Sequence, residues 1–457
     1  MSGSGVRRGG RAGGVLVAAS VLLAAGLSGG CSTSAPSAPD PVDVAADADA
    51  YVYGAAPVTL ARTRANMTCL LPVNELFNQA QLSGPDSRTV VAPNVDTLYS
   101  IAWLDLRAGP VLLTHPDMGE RYFGFQFLDM YTNVFANVGT RETGPAAAAR
   151  LIAPPGWSGQ APPGAAVVES PTWDAWMIGR TLVESEADLP AARAAQQQYS
   201  MRVLGPAVAG APPTLPPNDC GDNPAPQALV ASGPEYFDEL SAILAANPPP
   251  PADRPLLDRI AALGVTAGAT PSGGSPETVD ALAAGMTRGD RQITAATATG
   301  DRVWRSLPDA GRYGTDYLQR AVVARIGLGA NVPEESAYAV AREASDGRPL
   351  RGERGYRLHF PADGLPPVDR RGFWSVTMYG PDMFLVPNVL GRYAIGDRTP
   401  GLTRNPDGSL DVWLAAAEPA TGTSNWLPAP EGEFVVMLRS YLPTDPSWTP
   451  PEPEPEG

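Results

Sequence analysis

The fold is decided by two nearby runs of sequence, which read LYSIAWLDL from Leu98 to Leu106 and YFGFQFL from Tyr122 to Leu128. In the second run the aromatic residues alternate, so that Phe123, Phe125 and Phe127 fall on one face of a strand. Further short apolar runs follow, separated by Gly, Pro, Asp and Asn. This pattern predicts an N-terminal domain rich in β-structure.

Strands are predicted again in the last third of the chain, after a proline-rich middle region whose apolar spacing indicates helices. The predicted helices are 44–64, Glu235–Ala246, Pro255–Leu263, Val279–Ala298 and Thr315–Gly327. The later strands are predicted at Tyr356–Phe360, Gly372–Tyr379, Met383–Val386, Leu410–Ala415 and Phe434–Tyr441. These strands predict a second β-sandwich. The sequence shows no internal repeat.

The expected fold class is therefore α+β, mainly β, with two β-sandwich-like domains joined by a helical, Pro-rich middle region. The expected segments are a signal peptide at 1–31, a flexible tether at 32–43, an N-terminal β-rich domain at 44–188, a helical connecting region at 189–330, a C-terminal β-sandwich domain at 331–448 and a disordered tail at 449–457. A chain of 457 residues is long enough for two separate cores.

Composition excludes one class of partner. Hydrophobic residues make up 44% of the chain and charged residues 18%, as in a globular protein. The formal net charge is -15, and no basic cluster is present beyond the N-terminus. Because nucleic acids select cationic surfaces, we expect no nucleic-acid partner.

The N-terminus is typical of an export signal. Arg7, Arg8 and Arg11 precede an apolar run that ends near Leu27, and small residues continue to Cys31. The run is shorter than the roughly 20 residues that span a bilayer. The pattern predicts an exported protein, lipid-anchored at Cys31 on the outer face of the cell membrane, or else secreted with cleavage nearby.

The two remaining cysteines are Cys69 and Cys220. An oxidising compartment would allow them to form a disulfide that closes a long loop. The alternative is that each is a small buried hydrophobic side chain.

The quoted segments resemble two known families. APNVDTLYSIAWLDL and the sequence that follows it to Gly144 resemble the family called domain of unknown function 1254. FWSVTMYGPDMFLVPN, RYAIGDRT, NPDGSLDVWL and NWLPAPEGEFVVMLRSYLP, between Phe373 and Pro443, are similar to domain of unknown function 1214. The resemblance implies two β-rich domains with a helical part and, for many members, an envelope or secreted setting. It implies no activity.

Few residues are available for common catalytic chemistry. The chain has only two histidines, His115 and His359, so a site of several histidines is excluded. The cysteine spacing fits neither a metal site nor a redox pair. Glycine-rich phosphate loops are missing as well. We expect no cofactor and no metal.

Polar and aromatic residues at the ends of neighbouring strands form the first candidate site. They are Asn94, Asp96, Tyr99, Asp129, Tyr131, Asn133 and Arg141. Two carboxylates beside a Tyr and an Arg can bind a polar ligand, hold a hard cation or perform acid/base chemistry. The alternative is structural, because Asn and Asp cap turns and Arg141 can pair with a buried carboxylate. If the site exists, Asp96, Asp129 and Arg141 should meet at one end of the first sandwich.

A second set lies in the C-terminal domain. Asn425, Trp426 and Arg439, with Trp374, Tyr379 and Tyr441 nearby in sequence, can stack on and orient a ligand. Alternation along the strands favours a core or domain-interface position for both Trp residues.

Three functions remain open. The first is an exported binding protein whose small ligand lies at the junction of the two β-domains. The second is a cofactor-independent hydrolase or lyase that uses carboxylates, and the third is a structural envelope component. A cavity shared by the candidate residues favours the first two, whereas scattered residues favour the third.

A change of Cys31 tests the anchor. If Cys31 carries lipid, Cys31→Ser should move the protein from the membrane fraction into the soluble fraction, because the lipid supplies the membrane affinity. Fractionation followed by immunoblotting measures this. Unchanged partitioning of the variant would exclude a lipid anchor at this residue.

Overall fold

The computed structural model of the chain describes residues 44–88, 92–216, 233–298, 303–306, 309–445 and 447–456. The predicted signal peptide and tether, with Cys31, and also Cys220, lie outside these residues. The described helices are α1 Val44–Thr68, α2 Leu189–Gln196, α3 Glu235–Ala246, α4 Arg254–Ile260, α5 Pro276–Ala298 and α6 Tyr317–Ile326. The strands are β1 Phe77–Asn78, β2 Thr97–Asp105, β3 Val111–His115, β4 Phe123–Asp129, β5 Val134–Gly139, β6 Ala148–Ala153, β7 Ala165–Glu169, β8 Asp174–Leu182, β9 Ser200–Val203, β10 Trp304–Ser306, β11 Ser336–Ala341, β12 Tyr356–Phe360, β13 Val368–Tyr379, β14 Ala394–Gly396, β15 Leu410–Ala415, β16 Trp426–Pro428, β17 Val435–Pro443 and β18 Glu454–Pro455.

Each half of the chain forms two sheets around a core. In the N-terminal half the sheets have the orders β1-β2-β8-β4-β5 and β7-β6-β3-β9. The predicted face of Phe123, Phe125 and Phe127 is buried together with Leu113 and Ile152, which belong to the other sheet. The predicted fold class, mainly β with helices, is confirmed.

The C-terminal half repeats the topology of the N-terminal half strand for strand. Its sheets have the orders β10-β11-β17-β13-β14 and β16-β15-β12-β18, which are the first two orders with nine added to each number. Even the exceptional parallel pairs correspond, since β6 pairs with β7 and β15 with β16 in parallel. The chain therefore contains an internal duplication of nine strands.

The duplication is hidden in the sequence because identity between the halves is confined to short segments. One such segment reads VGTRETG from Val138 to Gly144 and IGDRTPG from Ile395 to Gly401. Gly139 and Gly396 occupy the same place on the edge strands of the two sheets, where they pair with Gly124 on β4 and Ser375 on β13. Sequence comparison alone gives too few matches to reveal the repeat.

A helical layer covers the outer face of the first five-stranded sheet. Helix α1 lies at its centre and contacts α3, α4, α5 and α6. Alternate residues of the sheet, including Trp103, Trp176 and Ile178, pack against these helices rather than against the second sheet. The helix is buried on most sides and continues past Pro57 to Thr68. Within the described residues, no helix is both long enough and apolar enough to cross a bilayer.

Two sequence-based expectations are wrong. The tail predicted to be disordered contains β18, which pairs with β12, and the Trp304 indole donates a hydrogen bond to the carbonyl of Pro451 at 2.8 Å. Proline does not prevent this pairing because an edge strand needs few of its own amides. The predicted strand at Met383–Val386 is a loop, since Met383 has a φ of 64°, outside the β region.

The two halves exchange equivalent ion pairs. Arg141, in the first repeated segment, bonds through Nε to Glu335 at 2.8 Å, and Glu335 immediately precedes β11. Arg398, in the second, bonds through Nη2 to Asp96 at 2.8 Å, and Asp96 immediately precedes β2. This reciprocal exchange is the contact pattern of a two-fold symmetric interface. The carboxylates are almost fully buried, with side-chain exposures of 5% and 8%.

Removal of one carboxylate should destabilise the junction. Asp96→Ala removes the buried carboxylate that bonds to Arg398 and Ser375, leaves Arg398 the weaker 3.3 Å contact with Asp397, and should lower the free energy of unfolding by about 3 kcal/mol. Glu120→Ala is a matched control, because it breaks the Arg370–Glu120 pair, which also joins the halves but is exposed. The control should lose less than about 1 kcal/mol in urea unfolding. Equal losses in the two variants would contradict a buried junction.

Candidate functional site

A cavity of about 650 Å³ lies at the junction of the two halves. Its walls come from the end of α1, from the outer faces of the two five-stranded sheets and from the loop after α6. The volume is within the range of small-molecule sites. The cavity is therefore the strongest candidate site among the described residues.

Each five-stranded sheet contributes one Tyr–Arg pair to the cavity wall. Tyr99 on β2 lies directly opposite Arg180 on β8, and Tyr338 on β11 lies directly opposite Arg439 on β17. These are equivalent positions of the duplicated fold. Both pairs face away from the sandwich cores because strand residues alternate between faces.

Both guanidinium groups are held by equivalent neutral acceptors. Arg180 donates through Nη1 to the amide oxygens of Gln126 at 2.9 Å and Asn331 at 3.0 Å. Arg439 donates through Nη1 to the hydroxyl of Thr377 at 3.0 Å, and Thr377 is the counterpart of Gln126. These bonds fix the direction of each side chain without neutralising its charge.

The second Nη of each guanidinium bonds to a backbone carbonyl. Arg180 Nη2 donates to Gly329 at 2.8 Å, and Arg439 Nη2 donates to Ala92 at 2.7 Å. Ala92 lies in the loop before β2, and Gly329 lies in the loop before β11. Each arginine thus bonds to a carbonyl of the opposite half of the chain. Nε of Arg180 is buried and has no hydrogen-bond partner among the described residues.

In the part of the chain that the structure describes, the hydrogen-bond partners of both arginines are neutral groups, and neither arginine pairs with a carboxylate. Their relative exposures are only 6% and 3%. The cavity lining includes one carboxylate, Asp86, which is exposed and pairs with neither of them. Two buried like charges without a counter-ion create a strongly positive potential, because a charge away from water is poorly screened.

Tyrosine hydroxyls complete the polar wall. Tyr441 accepts a hydrogen bond from Asn94 at 2.6 Å, and Tyr338 accepts from the Asn331 amide at 3.1 Å. Burial raises the pKa of Tyr441 well above its usual range, although Arg180 and Arg439 both act to lower it. The phenol therefore stays protonated, and its O–H can donate toward the cavity.

Of the sequence-predicted residues, Tyr99, Arg439 and Tyr441 line the cavity, and Asn94 supports it through its bond to Tyr441. Asp96 lies at the junction but is occupied: it accepts from Ser375 at 2.6 Å and pairs with Arg398.

Asp96 and Asp129 do not meet, so their expected convergence is wrong. Thr97, the neighbour of Asp96, pairs with Leu182 at one end of β8, whereas Asp129 pairs with Ala175 near the other end. Seven residues of strand separate these positions, about 23 Å at 3.3 Å per residue. Three strands, β2, β3 and β4, lie between the two turns along the chain, and the pairing of β2 and β4 with β8 places the turns at opposite ends of the sheet.

Asp129 caps the turn after β4, and the candidates Tyr131 and Asn133 belong to the same turn. Its Oδ1 accepts from the backbone amides of Tyr131 at 2.8 Å and Asn133 at 2.9 Å. The Asn133 side chain adds a bond of 3.0 Å to Oδ2. Tyr131 points into the helical layer, where its hydroxyl donates to the carbonyl of Asn247 at 2.7 Å. These residues hold the turn after β4.

The remaining candidates are also structural in their contacts. Arg141 pairs with Glu335 and Glu142. The Asn425 side chain bonds to the backbone of Thr403 and Asp411, which fixes a loop of the C-terminal half. Trp426 is buried, and its indole donates to the carbonyl of Ala415 at 2.8 Å. They are not among the residues that line the cavity.

The sequence contained a signal for the missed residue Arg180. It is the only charge in the apolar segment AWMIGRTLV, just as Arg439 is the only charge in FVVMLRSYL. A lone charge in a strand that is otherwise buried is costly and needs a reason. Tyr338 gave no comparable signal, because it carries no charge and its hydrogen-bond partner Asn331 lies seven residues away in the sequence.

No metal centre is found in the described ranges, where no group of three or more His, Cys, Asp or Glu side chains is arranged to hold an ion. His115 is buried with Nδ1 2.9 Å from the Pro116 carbonyl, and His359 bonds to Asp411. Cys69 is disulfide-bonded. Its predicted partner Cys220 lies outside the described residues, so this pairing stays a prediction.

Comparison with known families gives two matches. The family described as protein of unknown function (DUF1254) matches residues 73–203, and that described as protein of unknown function (DUF1214) matches residues 335–445. The chain carries both domains. The DUF1254 domain contributes Tyr99 and Arg180 to the cavity, and the DUF1214 domain contributes Tyr338, Arg439 and Tyr441.

One solved structure supports the fold of this chain. The VPA0106 protein from Vibrio parahaemolyticus is 24% identical, covers 91% of this chain and 100% of its own, and has a TM-score of 0.67. An uncharacterised protein from Burkholderia cenocepacia is 13% identical over 87% of this chain and 86% of its own, with a TM-score of 0.44. No match was found among curated proteins.

The turn at Asp129 should respond to pH. Burial raises the pKa of Asp129 to about 6, although the bonds from Asn133 and Tyr131 act to lower it. A carboxyl whose pKa is higher in the folded state stabilises the fold below about pH 4, and this contribution is lost as the pH rises through about 6. The stability of wild type relative to Asp129→Asn should therefore fall by about 2 to 3 kcal/mol between pH 4 and pH 7.

Urea unfolding of both proteins at a series of pH values measures this difference. Asp445→Asn is a control of opposite sign, because bonds from Ser447 lower the pKa of that exposed turn carboxyl. A stability difference for Asp129→Asn that does not change with pH would contradict the raised pKa.

Proposed function

We propose that the protein is an exported envelope protein that binds a small anionic molecule at the junction of its two β-halves. The observation that carries this proposal is the pair of buried guanidinium groups, Arg180 and Arg439, which line one cavity and have no carboxylate partner among the residues that the structure describes. An anion between them supplies the missing counter-charge. The halves are equivalent in topology, so each presents one arginine to the ligand.

The energetic argument rests on what an unpaired buried charge costs. Removing one charge from water without a partner is unfavourable by several kcal/mol, and two like charges near one another add repulsion. A bound carboxylate or phosphate offsets both the cost of burial and the repulsion, because guanidinium groups bind such anions through short, charge-assisted hydrogen bonds. The cavity is thereby selective for anions over neutral molecules of the same shape.

The polar wall also supplies orientation. Tyr338 and Tyr441 each accept a hydrogen bond from an asparagine, which leaves the phenolic O–H free to donate to a ligand. The whole chain has a formal net charge of -15, so the positive cavity is a local exception on an acidic protein. A cleft of one charge sign with low-dielectric walls concentrates ligands of the other sign.

Export and anchoring belong to the same proposal. The order of basic, apolar and small residues before Cys31 supports them. A binding function suits a protein held outside the cell membrane, where small molecules arrive by diffusion. The carboxylate hydrolase finds no comparable support, since Asp96 and Asp129 lie apart and each is occupied by structural bonds.

Benzoate and its neutral analogue benzamide test the anion site. The purified protein should bind benzoate, and Arg439→Gln should weaken this binding by about 10- to 100-fold, because a hydrogen bond to a charged group is worth about 1.5–3 kcal/mol. Arg254→Gln, at an exposed position away from the cavity, is the matched control and should bind as wild type does. Isothermal titration calorimetry measures the affinities.

Tyr338→Phe is a milder second variant if Arg439→Gln unfolds, since it removes only one donor and should weaken benzoate by up to about tenfold. Equal affinity for benzoate and benzamide, or unchanged benzoate binding in both variants, would show that the arginines do not hold an anion.

A further inference from the structure

The cavity wall changes from cationic to apolar along strands β2 and β8. Successive cross-strand pairs on the cavity side are Tyr99 with Arg180, Ile101 with Ile178, and Trp103 with Trp176. Neighbouring pairs on one face lie two residues apart, about 6.6 Å along the strand. Within about 13 Å the sheet therefore passes from a charged pair to two stacked indoles, whose ring centres are 5.0 Å apart.

The same gradient is present on the second sheet. Met437 lies two residues before Arg439 on β17 and also lines the cavity. It is the counterpart of Ile178, since the two arginines are equivalent. The end of α1 adds Met67, and the turn that follows adds Leu71, to the apolar part of the wall. The charged and apolar parts are thus separate regions of one cavity.

Exposed apolar side chains form the rim of the cavity, which we define as Leu70, Phe77 and Ile326. They are exposed by 78%, 43% and 38%, and all three belong to the cavity lining. Phe77 pairs with Ile101, so the rim is continuous with the apolar wall. Large apolar side chains that remain exposed around a cleft indicate that an apolar group covers them in use.

We infer that the anionic ligand is an amphiphile, an acid with one hydrocarbon chain. Its acidic head lies between Arg180 and Arg439, and its chain runs past Ile101 and Ile178 to the rim. This inference rests on the proposed anion site and adds the chemical class of the ligand. A purely polar anion would leave the apolar wall and the rim uncovered.

Chain length is the property that distinguishes this ligand. Each methylene moved from water into an apolar site strengthens binding by about fourfold. Among butanoate, octanoate and dodecanoate, the affinity should therefore rise steeply while the added carbons contact the wall and the rim. We expect dodecanoate to bind at least 100-fold more tightly than butanoate, and dodecanol at least tenfold more weakly than dodecanoate.

Calorimetric titration of the purified protein with these four compounds, below their aggregation limits, tests both ideas separately. Butanoate and dodecanoate of equal affinity, both tighter than dodecanol, would overturn the amphiphile and leave the anion site standing. Dodecanol as tight as dodecanoate would overturn the anion site. Absence of binding by all three acids would overturn both. Dodecyl phosphate as a further probe distinguishes a phosphate head from a carboxylate.

The rim supplies an independent variant. Leu70→Ser with Phe77→Ser should weaken dodecanoate by about five- to tenfold and leave butanoate unchanged, because only the longer chain reaches the rim. Val389→Ser removes an equally exposed apolar side chain, exposed by 84% and outside the cavity lining, and should change neither affinity. Unchanged dodecanoate binding in the double variant would show that no chain lies on the rim.

Discussion

The architecture depends on the two ion pairs that cross between the halves. Arg141 reaches Glu335 and Arg398 reaches Asp96, and each acidic residue stands at the start of the strand that carries a cavity tyrosine. The carboxylate of each pair is buried. A shift of one half against the other would therefore leave a buried charge without its partner. The bonds therefore fix the register between the sheets, and the register decides that Arg180 and Arg439 face a common space. The apolar cluster of Tyr122 and Leu182 with Phe373, Tyr441 and Leu442 also joins the halves, but apolar contacts are less directional than the two ion pairs.

Much of the fold follows from the sequence, and the failures have identifiable physical causes. Phe123, Phe125 and Phe127 predicted a buried strand face, which the structure confirms, and the helix predicted at Glu235–Ala246 has these bounds. Local patterns succeed where burial alternates along one element. They fail for Asp96 and Asp129, because which strand ends share a rim is decided by topology and not by the segments themselves. They fail for Met383 because the composition of a strand does not reveal a positive φ.

The sequence identified only part of the candidate site, because the site combines strands whose pairing is decided by topology. Tyr99 was predicted among polar and aromatic residues at strand ends, and Arg439 in the aromatic and polar set of the C-terminal domain, but their partners Arg180 and Tyr338 lie about 80 and 100 residues away along the chain. Cross-strand neighbours of this kind become visible only when the sheet order is known. A lone charge in an apolar strand is the most useful signal that the sequence offered, since burial without a carboxylate is rare unless another charge completes the site.

The duplicated fold has a consequence for how such a site can change. In a dimer of identical subunits, any substitution at the shared cavity occurs twice, so both walls must stay alike. Here the two copies belong to one chain, and they have diverged: the position of Tyr441 in one half is held by Leu182 in the other. Fusion of the copies thus frees each wall to mutate alone. A cavity between two diverged copies can therefore match an asymmetric molecule, charged at one end and apolar at the other, whereas a cavity between identical copies would present the same wall to both ends.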